Sequence, residues 1–187
     1  MFSIPINQKL SEQQFHEFVA FCNEYKDYIY DLYFTCRMPP FTQDAMGDII
    51  ETQADAIQVI ETALHMQKTT GIKVSATFNN IQVQPSQKNL DLFLKNFEQL
   101  YEAGVRCVTI PHTHWVATKQ MQMRFPELEI KNTILRNVTR ANEIAELAKA
   151  GFNYINLDRD LMRDRDALKQ CRRAADKFGV KLSLLGN

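Results

Sequence analysis

A chain of 187 residues, 45% hydrophobic and 24% charged, is long enough to fold as one domain around a substantial core. Its 22 basic and 22 acidic side chains cancel, which argues against a broad electrostatic footprint for nucleic acid or anionic membrane. No apolar run approaches the roughly 20 residues that span a bilayer, and "MFSIPINQKLSEQQ" lacks the basic and then apolar regions of a secretory signal.

The first strand is expected at 2–6, "FSIPI". A helix follows in "SEQQFHEFVAFCNEY", where Ser11 and Gln14 have capping-box spacing and Phe15, Phe18, Val19 and Cys22 share one face. The aromatic run 28–35, "YIYDLYFT", reads as the second strand. A long polar connection from Arg37 to Ile50 comes next, and its Pro39-Pro40 pair delays the helix that carries Ala56, Val59, Ile60, Ala63 and Leu64. Connections of that length often serve as lids, with Phe41 and Met46 either folding over a mouth or plugging the end of the fold.

The same unit repeats. Strand 72–78, "IKVSATF", precedes a helix striped by Leu90, Phe93, Leu94, Phe97 and Leu100. Strand 105–110, "VRCVTI", precedes a short helix closed by Pro126. Strand 128–134, "LEIKNTI", leads to a helix with Ile144, Leu147 and Ala148 inward and Gly151 after its end. Strand 153–157, "NYINL", leads to a helix with acids early and bases late, as the helix dipole favours; "VKLSLL" is the last strand. The four cysteines, Cys22, Cys36, Cys107 and Cys171, lack CxxC spacing and read as reduced thiols of a cytoplasmic protein.

Strict alternation of strand and helix implies parallel strands joined by right-handed crossovers. No GxGxxG or GxxxxGK[ST] stretch occurs, so phosphate-loop nucleotide binding is not indicated. The expected architecture is an α/β, parallel (β/α) TIM-type barrel spanning 1–187 as one domain, with about seven strands and a gap before the eighth.

In such a barrel functional groups collect where strands end. Those positions hold Thr35, Cys36 and Arg37, then Asn79 and Asn80, then His112, Thr113 and His114, then Arg136 and Asn137, then Asp158, Arg159 and Asp160. Within "TIPHTHW", His112 and His114 alternate, so on extended backbone they would face one side. With Asp158 they would make a two-His, one-carboxylate set for a divalent metal at the mouth. The alternative is that one histidine caps the next helix while the other packs on Trp115. Arg37, Arg136 and Arg159 offer forks for a carboxylate or phosphate, or else pair with neighbouring acids. Cys36 is either a nucleophile beside Arg37 or a small buried residue.

"IKVSATFNN", "YEAGVRCVTI", "NVTRANEIAELAKAGFNYINLDRDL" and "GVKLSLLGN" resemble the peptidase U32 family, over about Tyr28 to Asn187. Asn79 falls on the asparagine of that family's third-strand motif, Asn137 on that of its "NVT", and Arg159-Asp160 on its Arg-Glu pair. The resemblance implies a complete or incomplete (β/α) barrel. It also implies either collagenase-like peptide hydrolysis or a part in oxygen-independent or prephenate-linked hydroxylation of RNA or quinone. Several members bind an iron–sulfur cluster, through a segment of spaced cysteines that follows the seventh strand. This sequence stops at Gly186-Asn187, where that segment would begin, so cluster binding is an expectation only for a longer protein that carries those cysteines.

Two functions are therefore expected. The first is an enzyme, or its substrate-holding part, acting on a small anionic, peptide or RNA- or quinone-type substrate. Here His112, His114 and Asp160 would be catalytic and Arg37, Asn79, Asn137 and Arg159 would bind substrate. Without a Ser-His-Asp order or an HExxH motif, hydrolysis ranks below modification chemistry. The second is a non-catalytic barrel that forms a homodimer or takes a partner along its open sheet edge.

Overall fold

The computed structural model describes residues 1–6, 10–41 and 53–184. Among these residues, seven parallel strands lie in sequence order in one sheet: β1 (Phe2–Pro5), β2 (Ile29–Thr35), β3 (Val74–Thr77), β4 (Cys107–Ile110), β5 (Glu129–Asn132), β6 (Tyr154–Asn156) and β7 (Lys181–Ser183). Helices α1 (Glu12–Glu24), α2 (Gln53–Thr70), α3 (Gln87–Glu102), α4 (Thr113–Ala117), α5 (Gln120–Arg124), α6 (Ala141–Ala150) and α7 (Arg165–Phe178) fill the crossovers. The sheet curls into a half-barrel, an incomplete α/β fold of the TIM type. Most of the expected lid connection, including Met46, lies outside the described residues.

Strand side chains alternate between the two faces, and parallel register keeps each parity on one face across the sheet. One face carries Ile4, Leu32, Phe34, Val74, Ala76, Val108, Ile110, Ile130 and Ile155, packed in a single apolar cluster with the helices. The other carries Asp31, Tyr33, Thr35, Ser75, Thr77, Cys107, Thr109, Glu129, Lys131 and Tyr154. TIM barrels ordinarily fill their interior with branched apolar layers. Here the concave face is polar, and the apolar core lies between sheet and helices.

Local signals act as expected at most helix ends. Ser11 and Gln14 form the capping box of α1, and Gly151 and Gly179 end α6 and α7 in the left-handed region. The helix expected after β4 is instead two, broken at Lys119 with φ 64°. From that bend Lys119 Nζ donates to the carbonyls of Lys149 and Ala150, at 2.9 and 2.7 Å, satisfying the end of α6. A cross-helix cap of this kind outweighs local propensity and leaves no periodicity in the sequence. It also crowds Gly151, which has φ 115° and where a Cβ would meet Gln122 Nε2 at 2.2 Å and Lys119 Nζ at 2.8 Å. Gly151→Ala should lower the unfolding free energy by about 1–2 kcal/mol in denaturant titration. Gly179→Ala should cost less, because nothing lies within 4 Å of its added methyl.

Candidate functional site

The lower part of the concave face is an interlocked charge network. Asp31 on β2 pairs with Lys131 on β5, with side chains 0% and 5% exposed, and Ser3 donates to the same carboxylate. One layer away, Glu129 accepts from the Tyr30 hydroxyl, from Lys73 Nζ at 3.0 Å and from Lys181 Nζ at 3.1 Å. Lys73 also sits 3.6 Å from the centre of the Tyr30 ring, a cation–π contact. Burial alone would raise the Glu129 pKa, but these donors overcome it and hold the carboxyl at about 2. Burial pushes the Cys107 thiol up to about 12. Burial and the Glu129 bond together raise the Tyr30 phenol. Burial works to lower Lys131, yet the Asp31 carboxylate paired with it keeps it above its ordinary value. Each group is thereby fixed in its resting charge: a protonated amine, a neutral thiol and phenol, a carboxylate with its acceptors filled. This layer holds strands together and offers no activated nucleophile or base.

Toward the C-terminal ends of the strands the chemistry changes. The loops after β2, β3 and β4 touch one another. Asn80 Nδ2 donates to the Pro40 carbonyl at 2.8 Å, and the Phe41 ring packs edge-on to Phe93 and Trp115. Phe41 therefore plugs the outer core. His112 occupies the N-cap position of α4, with its ring 4.8 Å from Trp115. Asn79 Oδ1, His112 Nε2 and Thr113 Oγ1 in this region are buried and have no hydrogen-bond partner among the described residues. Such atoms cost roughly 1–3 kcal/mol each when left unpaired. Burial also pushes the His112 pKa below its ordinary 6.5, leaving a neutral imidazole at pH 7.

Across the rim, the loops after β5 and β6 make a second polar group. Asn137, at φ 52°, holds its side-chain amide 3.2 Å from both the Ile134 carbonyl and Asp158 Oδ2, two acceptors that assign the amide nitrogen to that side as their donor. Asp158 Oδ1 accepts from the Asp160 backbone N–H at 2.8 Å, starting a 3₁₀ turn over Arg159–Arg163. Arg136, Arg159 and Asp160 are exposed.

The structure thus brings Asn137 to Asp158, and sets Asn79 and His112 in adjoining loops. It does not join His114 to His112. The chain turns helical at Thr113, so the two histidines are not on extended backbone, and His114 projects exposed from α4. Among the described residues no three His, Cys, Asp or Glu side chains are grouped to hold a metal, so His112, His114 and Asp158 do not form the expected set. Arg37 turns to the outer side and lines a cleft between α2 and α3. Cys36 is buried, its thiol pushed up to about 12 by that burial, so it packs rather than attacks. The lumen network was not foreseen from the sequence. Its signal is the alternation in "IKVSATF" and "LEIKNTI", where Lys73, Ser75, Thr77, Glu129 and Lys131 interleave with apolar residues.

No family model matches this sequence. No curated protein matches it either. Solved structures do share its fold. The U32 peptidase Mk0906 aligns with a TM-score of 0.61 at 11% identity, over 96% of this chain and 66% of that one. An enolase from the alpha proteobacterium BAL199, with bound Mg, aligns with a TM-score of 0.60 at 13% identity, over 98% and 46%. A mandelate racemase/muconate lactonizing enzyme from Polaromonas sp. JS666 aligns with a TM-score of 0.59 at 11% identity, over 99% and 46%. The chain spans about two thirds of the first and under half of the other two. At these identities the likeness establishes a TIM-type fold. No helix among the described residues is long and apolar enough to cross a membrane.

Proposed function

We propose that this chain is the substrate-holding half-barrel of an enzyme that works at the C-terminal rim of its strands. The substrate would be a small anionic, peptide or RNA- or quinone-type molecule, as the resemblance to the U32 family implies. The observation that carries this reading is the set of buried, unpartnered polar atoms on Asn79, His112 and Thr113. A bound polar group would satisfy them, and protein atoms within the described residues do not. In this scheme Asn79 and Asn137 orient the substrate, neutral His112 exchanges a proton with it, and Arg159, between Asp158 and Asp160, receives an anionic end. His114 has no part, since it faces away from His112. Pairing through the open sheet edges has weaker support. β1 ends at Pro5, β7 begins at Lys181 and both strands are short, features that deter edge association.

The test is a thermal-shift panel of dicarboxylates, dipeptides, nucleoside monophosphates and a soluble quinone. One class is expected to stabilise the protein, with its affinity reduced about tenfold or more in His112→Gln and in Asn79→Ala, the loss that 1.4 kcal/mol represents. Because the His112 pKa is depressed, binding should be flat above pH 6.5 and weaken only below it. Stabilisation that both variants retain in full would sink the rim assignment.

A further inference from the structure

Outside the barrel, between α2 and α3, lies a cavity of about 200 Å³ that the rim chemistry leaves unused. At about 30 Å³ per water molecule it has room for roughly seven waters, or for a compact organic molecule of similar bulk. Arg37 enters it from the end of β2, and its Nη1 is buried with no hydrogen-bond partner among the described residues. Asn96 and Gln99, three residues apart on α3, line the same cavity. Its remaining wall includes Met38, Ile60 and Leu100.

We propose that this cleft binds a small carboxylate with a short apolar tail: the carboxylate meets Arg37 and the amides of Asn96 and Gln99, and the tail lies along Ile60 and Leu100. A planar guanidinium matches the two oxygens of a carboxylate, and two neutral amides add hydrogen bonds without a competing negative charge. The apolar wall favours an acid with a hydrocarbon portion over inorganic phosphate, whose further oxygens would find no donors there. The proposal does not depend on the rim site, because its residues lie on the outer side of the sheet and are not those assigned to the rim.

Isothermal titration with butyrate, acetate and inorganic phosphate tests it on the full chain. Butyrate is expected to bind at about millimolar concentration, tighter than acetate and tighter than phosphate. Arg37→Gln should weaken butyrate binding about tenfold or more. Asn96→Asp should do the same, because it places a carboxylate in the half-buried cavity wall against Arg37. His112→Gln, at the rim, should leave butyrate binding intact. Should Arg37→Gln fail to fold, Asn96→Asp carries the test, since it alters one partly exposed helix position without changing its size. Absence of saturable butyrate binding, phosphate binding as tightly as butyrate, or unchanged affinity in Asn96→Asp would overturn the assignment.

Discussion

Lys131→Met is expected to lower the unfolding free energy by about 3–5 kcal/mol, because it leaves the Asp31 carboxylate buried and without its cation. Among the described residues no other full positive charge lies within bonding distance of Asp31; Ser3 supplies a hydroxyl and Cys107 a thiol. The companion Asp31→Leu should cost a similar amount by stranding the ammonium of Lys131. Replacing both together should recover most of the loss, since well-packed apolar side chains often serve as well as a buried pair. A double-mutant cycle in urea gives the result directly. Single variants that unfold within 1 kcal/mol of the parent, a figure typical of exposed pairs, would show that water reaches this pair and that the lumen is not sealed.

The second large effect concerns acid. Glu129 titrates at about 2 in the folded chain against an ordinary 4.5. The unfolded chain therefore binds the extra proton between those values, and stability falls as pH drops from 4.5 toward 2. The difference corresponds to roughly 3 kcal/mol at neutral pH, at about 1.36 kcal/mol for each unit. The side chain is only 15% exposed, so solvent screening removes little of it. Glu129→Gln is expected to lose about that much at pH 7 and to show a flatter stability curve between pH 4.5 and 2. Unfolding curves collected at half-unit steps of pH check both. A variant as acid-sensitive as the parent would assign the acid limb to other carboxylates.

How far the sequence foretells this molecule depends on the range of each signal. The strands are visible because Val74, Ala76 and Phe78, or Val108 and Ile110, alternate with polar neighbours, and the longer helices carry 3.6-residue apolar stripes. Both patterns are local. The capping box of α1 and the glycine at the end of α6 are local as well, and they appear where expected. The break at Lys119 is set by carbonyls of α6 some 30 residues away. The Asp31–Lys131 pair spans 100 residues, and no periodicity reports it. Strand-end residues could be named from topology alone, but their aim could not. His114 is turned away by helix formation at Thr113, and Arg37 by the cleft between two helices.

The order of the sheet has a kinetic corollary. Every strand pairs with its neighbour in sequence, so successive β-α units can add to a growing edge at small cost in loop closure. Among the described residues the lumen contacts reach farthest along the chain: Tyr30 to Glu129 across 99 residues, and Lys181 to Tyr30 across 151. Links of that span are expected to close last, after the transition state has formed most of the sheet. Weakening them should quicken unfolding while leaving the refolding rate nearly constant, so the polar lumen acts as a latch on the lifetime of the native state.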